Sequence, residues 1–372
     1  MQNQIFPHIK FKHTWSMFVL IFSIAILKSG VWVMANLETS RQIALSPFKK
    51  PFEGSEADYL VNSWFINFLA HTIQFTSPAK YLALHAIAAV LSIFVGYLII
   101  SKRYSGTTLT VSISIFAILP VNAAIFYWIG MDGVLVCLFM TSLLVKNTFL
   151  LALLGIFIGM QHFELGIVAV LTLFTFEILI RKQKTDGKSV VEIATLLLGV
   201  LIGKVFLIII FRFSGIVLQE NRFTLGIENF RHNLVVHVRF LPAAIFTMFG
   251  VLWILILKME STTRKAFLIA SAIPVLTSLF VWDQTRVLQI SSTLLVMRAV
   301  VLNETLLKSL SFQELRYLLF AWLIVPWIWI WQAFLGSVTG YDIMYLYSRV
   351  FNTETAPSGA ALFWWAFPRA LI

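Results

Sequence analysis

Long unbroken runs of apolar residues dominate the chain, and polar residues are confined to the segments between them. A run of about 20 apolar residues is long enough to cross a hydrocarbon core of about 30 Å as a helix. Strands of a membrane barrel would alternate apolar and polar residues instead, and lipid satisfies no backbone hydrogen bond, so helices are favoured. The pattern predicts an all-α polytopic membrane protein with about 10–11 transmembrane helices. The runs cover residues 14–35, 79–101, 107–129, 131–146, 147–160, 163–180, 189–212, 239–258, 265–282, 285–302 and 315–335.

Two longer polar stretches interrupt this pattern. The first, about residues 36–78, contains the amphipathic segment 59–69, which is typical of a helix lying in the membrane interface. The second, about residues 214–238, is too polar to span. No internal repeat divides the chain, so we expect one integral-membrane domain over residues 1–372.

Residues 148–180 can be drawn as one overlong helix or as two short ones. A turn at residues 159–164 would keep the basic segment from Arg181 to Lys188 on the same side as the other basic loops. Because Lys and Arg accumulate in cytoplasmic loops, the two short helices are favoured.

Composition and charge agree with a membrane protein. Hydrophobic residues make up 59% of the 372 residues and charged residues only 12%, against about 25% charged in soluble domains. The net charge of +11 fits basic cytoplasmic loops and attraction to anionic membrane lipids, rather than binding to nucleic acid. With Lys102–Arg103 and Lys258 inside, the N-terminus is cytoplasmic, and a bacterial inner membrane is our expectation.

Several kinds of chemistry have no motif in this chain. There is no P-loop and no Gly-x-Gly-x-x-Gly fingerprint, no zinc-type Cys/His cluster, and no Gly-x-Ser-x-Gly elbow. Nucleotide hydrolysis is therefore unfavoured. The lone cysteine, Cys137, excludes an internal disulfide.

The predicted topology places most of the unusual polar residues on the outer face. Ionisable residues near or inside a membrane are costly, so they are candidates for function. Their common location predicts one outward-facing site. The candidates are Glu56, Asp58, Asp132, His162, Glu164, Arg231, Arg239, Asp283 and Arg286, with Lys28 and Lys204 in the outer halves of apolar runs.

Several candidates also have a structural explanation. Asp58 and Asp132 can cap the helices that follow them. Asp283 and Arg286, three positions apart, can simply pair with each other. A lysine such as Lys204 can extend its amine to the interface.

The acidic residues carry a resemblance to a known family. Glu56-Ala57-Asp58-Tyr59 in the first outer loop, then Asp132, then Gln161-His162-Phe163-Glu164, resemble the arrangement of the GT-C superfamily of integral-membrane glycosyltransferases, loosely over residues 14–335. The resemblance implies interfacial helices in the first outer loop and a sugar donor linked to polyprenyl phosphate. It also implies transfer on the outer face to a glycan, lipid or protein acceptor. We expect no soluble C-terminal domain of the kind that many members carry, which leaves the acceptor open.

Roles follow from this resemblance and from the chemistry of transfer. A carboxylate must take the proton of the acceptor hydroxyl, and Asp58 is the first choice, with Glu56 and Asp132 as further catalytic candidates. Arginines suit the phosphate leaving group through bidentate bonds. A divalent ion, Mg²⁺ or Mn²⁺, beside Asp132 or Glu164 is compatible with this chemistry, but the sequence does not require one. The substrate- and phosphate-binding candidates are His162, Glu164, Arg231, Arg239, Asp283, Arg286, Lys28 and Lys204.

Two other functions stay open at this point. A polysaccharide repeat-unit polymerase also needs outer arginines and acids, although residues 214–238 form a short loop for one. A lipid or solute transporter would place charged or helix-breaking residues near the bilayer midplane, often in repeated halves. Only Pro120, Gly199 and Gly203 point that way.

Overall fold

The computed structural model describes residues 11–338, apart from 30, 32, 35, 52–53, 182–187, 219–221, 282, 326 and 332–333. Helices make up nearly all of this part of the chain, which confirms the all-α prediction. The helices are α1 (Phe11–Ser29), α2 (Leu37–Leu45), α3 (Ser55–Val61), α4 (Trp64–Thr72), α5 (Pro78–Arg103), α6 (Gly106–Ala117), α7 (Pro120–Tyr127), α8 (Met131–Leu144), α9 (Thr148–Arg181), α10 (Lys188–Phe213), α11 (Arg222–Phe249), α12 (Trp253–Ile256), α13 (Ser261–Ser278), α14 (Gln284–Ser291), α15 (Thr293–Val296), α16 (Glu304–Ser309) and α17 (Phe312–Ile324).

Three helical stretches of the described chain are long and apolar enough to cross a membrane, namely Pro78–Arg103, Thr148–Ile180 and Val190–Phe213. The number rises to five if two bent pairs each count as one span, α6 with α7 at 43° and Thr224–Val235 with Phe240–Ile256 at 117°. Other apolar runs of the described chain form shorter helices, among them Trp15–Leu27 and Met131–Leu144. The long apolar helices agree with a polytopic membrane protein, and the number of ten or eleven transmembrane helices stays a prediction.

Two apolar runs depart from a single regular helix. The run 285–302 forms α14, α15 and a π-helical turn, Met297–Val301, and the hydroxyls of Ser291, Ser292 and Thr293 donate to carbonyls of the preceding turn. The run 315–335 stops being helical at Ile324. Val325 is extended, as expected of a residue that precedes a proline in the sequence. An antiparallel hairpin follows, with β1 (Trp327–Trp331) paired to β2 (Phe334–Val338).

Helix α9 reverses direction at His162, whose backbone is not helical (φ −162°, ψ 87°). In a straight helix Ile158 and Gly166 would lie about 12 Å apart. Instead, a Cβ added to Gly166 would lie 2.4 Å from Ile158 Cγ2. The two halves of α9 therefore pack against each other, which confirms the two short helices that the charge pattern favoured.

Glycines hold the first half of α9 against α10. A Cβ at Gly155 would lie 2.4 Å from the Leu196 carbonyl oxygen, and one at Gly159 would lie 2.3 Å from that of Val200. Gly199 and Gly203 face them across the same contact. The two backbones approach this closely only because all four positions lack a side chain. These glycines thus serve packing, and they no longer favour a transporter.

The segment between α1 and α5, predicted to be the first outer loop, folds as three short helices, α2, α3 and α4. The predicted single amphipathic helix over residues 59–69 is wrong, because the chain breaks at Asn62–Ser63, where Asn62 Nδ2 donates to the Asp58 carbonyl (2.8 Å). Trp64 and Ile66 are buried within the protein rather than laid on lipid. Trp64 belongs to a second hydrophobic core that includes Met131 and Leu207. We call this end of the bundle the loop end.

The opposite end of the bundle collects basic residues, and we call it the basic end. Here Arg298 pairs with Glu177 of α9, and Lys258 pairs with Glu314 of α17. Arg103, at the last turn of α5, acts electrostatically on Glu304. Helix α5 therefore runs from the loop end to the basic end.

Candidate functional site

Tyr59 of α3 lies between two arginines at the loop end. The guanidinium of Arg222, at the start of α11, stacks over the tyrosine ring at 4.1 Å from its centre. On another side, Arg286 Nη2 of α14 donates to the tyrosine hydroxyl at 3.0 Å. Three elements far apart in sequence are thus joined at one side chain.

The first group of charges around Tyr59 comes from the turn in α9. Arg222 Nη1 lies 2.9 Å from Glu164 Oε2 and 3.2 Å from His162 Nδ1, and Arg222 Nη2 donates to the Tyr59 carbonyl. Lys204 of α10 lies 3.7 Å from the other oxygen of Glu164. The reversal at His162 brings these side chains to the end of the bundle.

The second group surrounds Arg286. Its Nε lies 3.5 Å from Asp132 of α8 and 3.7 Å from Asp283. Asp283 also caps α14, because its Oδ1 accepts the backbone N–H of Arg286 at 3.2 Å. The predicted pairing of Asp283 with Arg286 is present as well, and it does not keep the Asp283 carboxylate out of the site. We define the Tyr59 cluster as Tyr59, Asp132, His162, Glu164, Lys204, Arg222, Asp283 and Arg286.

Asp58 lies next to the Tyr59 cluster, but its carboxylate has another partner. Its Oδ1 lies 2.6 Å from the amine of Lys50, and the Asp58 side chain is only 1% exposed. Asn62 provides a link, because its amide oxygen lies 3.4 Å from Lys204 Nζ. The first-choice base of the sequence analysis is thus held in a buried ion pair.

Gln161 ties the parts of the site together. Its Oε1 accepts the backbone N–H of Ile66 at 3.1 Å, and its Nε2 donates to the Met131 carbonyl at 3.3 Å. The side chain is fully buried. It therefore fixes α4, the start of α8 and the turn at His162 relative to one another.

Four other predicted site residues are not brought into the cluster by the described contacts. Arg231 lies exposed on α11, and no described contact joins it to the Tyr59 cluster. Lys28, Glu56 and Arg239 lie on α1, α3 and α11, and their side chains fall outside the described part of the chain. Their roles stay predictions.

Sequence reasoning missed Tyr59, Lys50, Gln161, and the importance of Arg222. Tyr59 and Gln161 stood inside the two motifs that carried the family resemblance, beside the residues that were chosen. Arg222 stood in a polar stretch with other arginines, and only the path of α11 distinguishes it. An outer-face location was the one signal available for it.

Burial leaves nitrogen donors of the Tyr59 cluster without a hydrogen-bond partner. Among the described atoms this is true of Arg222 Nε and Arg286 Nε, and the ring atom His162 Nε2 is likewise buried without a partner. A buried donor without an acceptor is costly, so such atoms indicate a place for ligand oxygen. Burial also raises the pKa of Asp283 to about 7, although Arg286 opposes the shift.

The described side chains do not form a metal site. No three of their His, Cys, Asp and Glu residues come together as ligands. The carboxylates Asp132 and Glu164 each face cationic side chains instead. The donor set therefore does not fit a Mg²⁺ or Mn²⁺ ion at either position.

Comparisons of the chain with protein-family profiles, with curated proteins and with solved structures give no match.

Proposed function

We propose that this chain is a membrane glycosyltransferase that moves a sugar from a polyprenyl-phosphate-linked donor to an acceptor on the outer face. The Tyr59 cluster is the observation that carries the proposal. It combines cations that have unfilled donors with one carboxylate, Asp283, whose pKa is raised to about 7, at one end of an apolar bundle. Phosphate binding and proton removal are the two tasks that such a transfer requires.

The step balances with these groups. The acceptor oxygen forms a bond to the anomeric carbon of the sugar as the bond from that carbon to the phosphate oxygen breaks. The electron pair stays on the phosphate, which gains one negative charge. Arg286 stabilises that charge. The acceptor proton goes to a carboxylate.

Asp283 suits the role of that carboxylate better than Asp58. A general base works best when its pKa lies near the working pH, and the pKa of Asp283 is raised to about 7. Its side chain is 18% exposed, whereas Asp58 is 1% exposed and tied to Lys50. We therefore assign the role of general base, which takes the proton of the acceptor hydroxyl, to Asp283. The Asp58–Lys50 pair has a structural role.

The distribution of charge supports an outer location for this site. The basic end carries Lys102, Arg103 and Lys258 in short connections, as cytoplasmic loops do. The Tyr59 cluster lies at the other end of α5. An N-terminus on the cytoplasmic side, in a bacterial inner membrane, belongs to the same proposal.

The test measures release of polyprenyl phosphate, a product shared by all such donors whatever the sugar. The purified chain is reconstituted with lipid-linked sugars and membrane acceptors extracted from its host. We expect Asp283→Asn to slow release by about 100-fold or more, the contribution of a positioned base. Glu314→Gln, an acid at the basic end, is the matched control and keeps full activity.

Other outcomes would decide against the proposal. Full activity of the Asp283→Asn variant, with loss of activity in Asp58→Asn, would identify Asp58 rather than Asp283 as the general base. Movement of intact donor lipid across the membrane without release of polyprenyl phosphate would identify a transporter. Growth of a repeating glycan chain would identify a polymerase.

A further inference from the structure

Tyr104 lies at the basic end, in the short connection between α5 and α6. Its side chain is 8% exposed, and no described atom accepts the proton of its buried hydroxyl. Burial raises the pKa of this hydroxyl, so it stays protonated and can donate. A buried donor without an acceptor is costly, so the hydroxyl indicates a place for a ligand oxygen.

Two arginines stand near this hydroxyl. Arg103, the last residue of α5, is exposed, and its guanidinium carbon lies 5.7 Å from the centre of the Tyr104 ring. Arg298 also lies close enough to act on the charge of the hydroxyl, and its side chain is 34% exposed. Both guanidinium groups are therefore accessible from the surface of the bundle.

An unusual backbone holds Arg298 in this position. The residue belongs to the π-helical turn that follows α15, and such turns are rare and often occur at functional sites. Ser112 Oγ of α6 donates to the Val301 carbonyl at 2.8 Å, and Asn303, the N-cap of α16, donates to the Ala299 carbonyl at 3.1 Å. The turn is therefore tied both to α6, the helix that follows the tyrosine, and to α16.

The carboxylates near these arginines already have other cationic partners. Glu177 pairs with Arg298, and Glu304 pairs with Lys308 at 2.6 Å. Within the described part of the chain, no carboxylate lies at ion-pair distance from Arg103. The positive charge of Arg103 is therefore available to an anion.

The length of α5 places these groups at the level of lipid headgroups. Its 26 residues extend about 39 Å, whereas the hydrocarbon core is about 30 Å thick. Ile87, Val90 and Phe94 of this helix are exposed, so α5 faces lipid directly. Anionic headgroups attract basic side chains at this depth. A phosphodiester headgroup is therefore the anion that meets Arg103.

We propose that Arg103, Tyr104 and Arg298 form a binding site for the phosphoryl group of an anionic membrane lipid, at the end of the bundle opposite the Tyr59 cluster. The two arginines donate charge-assisted hydrogen bonds to phosphate oxygens. The Tyr104 hydroxyl donates to the same group and so gains its missing acceptor. The bound lipid joins the end of α5 to the π-helical turn. This inference does not depend on the proposed function.

Native mass spectrometry of the full chain, with phosphatidylglycerol and phosphatidylcholine competing in equal amounts, tests the site. We expect the wild type to retain one phosphatidylglycerol in preference to phosphatidylcholine. Arg103→Gln should lower that retention about tenfold, the contribution of a hydrogen bond to a charged group. Arg316→Gln, an exposed arginine of α17 at the same end, should leave it unchanged. Arg298 is kept, because its loss would leave Glu177 buried and unpaired by this cation.

Tyr104→Phe separates a lipid site from an accidentally unpaired hydroxyl. In phosphatidylcholine nanodiscs this variant should be as stable as the wild type or more stable, because it removes a buried hydroxyl whose proton has no acceptor. Phosphatidylglycerol should raise the Tm of the wild type by binding the folded state, and should raise the Tm of Tyr104→Phe much less. An equal rise in both proteins would overturn the role of the hydroxyl.

Soluble anions distinguish a lipid headgroup from a free phosphate. We expect neither inorganic phosphate nor glycerol 3-phosphate to displace the retained phosphatidylglycerol. Displacement by either would overturn the lipid site and assign these residues to a soluble phosphate. Equal retention of phosphatidylglycerol and phosphatidylcholine by the folded wild type would overturn the proposal altogether.

Discussion

Replacing Gly203 by alanine tests the close packing that positions the site. The new Cβ would lie 2.3 Å from the Ile156 carbonyl oxygen and 3.0 Å from the Gly159 Cα. Both are parts of the backbone, so no side-chain rotation can relieve the contact. Because heavy atoms in contact sit about 3.5 Å apart, α10 and the first half of α9 must separate by about 1 Å.

The energetic result has two opposing parts. Overpacking of this kind costs about 1–3 kcal/mol. Alanine gains about 0.5–1 kcal/mol over glycine within a helix. We expect a net loss of about 1–2 kcal/mol in the free energy of unfolding. Since Lys204 is the next residue, its 3.7 Å contact with Glu164 should lengthen, and binding of the lipid-linked donor should weaken.

Reversible unfolding in mixed micelles with increasing SDS provides the assay. Gly226→Ala on α11 is the control, because its nearest atoms, in Phe280, would lie 3.5 and 3.8 Å from the new Cβ, which is ordinary contact. We expect that control to be neutral or slightly stabilising. A Gly203→Ala variant as stable as the Gly226→Ala variant would refute the packing argument.

Two further outcomes follow from the site. Because the pKa of Asp283 is raised from 3.8 to about 7 in the fold, the folded state holds its proton more tightly. Its contribution to stability is therefore present below about pH 4 and is lost as the pH rises to about 7. The wild-type Tm should fall across that window relative to Asp283→Asn, and parallel profiles would contradict the shift. Gln161→Leu leaves the Ile66 N–H and the Met131 carbonyl buried and unpaired, at about 1–3 kcal/mol each. Faster hydrogen exchange at the Ile66 amide should report the lost hydrogen bond. An unchanged exchange rate would show that Gln161 does not hold α4 in place.

The apolar pattern predicted the helical fold correctly because membrane helices need long apolar runs. It did not predict that a run such as 285–302 would contain a π-helical turn, Met297–Val301, or that the hydroxyls of Ser291 and Thr293 would bond to carbonyls of the preceding turn. Such bonds depend on rotamers, which a hydropathy pattern does not contain. The turn at His162 was predictable, because the charge rule adds information that hydropathy lacks.

The outer polar residues predicted the cluster only in part. Asp132, His162, Glu164, Asp283 and Arg286 do gather at one end. Their ion-pair partners depend on the paths of α10, α11 and α14. No pattern along the chain could show that Tyr59 would separate two arginines, or that Lys50 would occupy the carboxylate of Asp58.

The central claim is that the Tyr59 cluster faces outward, and α5 offers a direct test of it. Single cysteines are placed in a Cys137→Ser background at the two ends of this helix. Ala79→Cys lies at the loop end, and Ser105→Cys lies just beyond the basic end of the helix; both positions are exposed. An impermeant thiol reagent is then added to intact cells. We expect labelling of the Ala79→Cys variant at once, and of the Ser105→Cys variant only after permeabilisation. Labelling of Ser105→Cys alone in intact cells would put the cluster on the cytoplasmic side and contradict the outward-facing site.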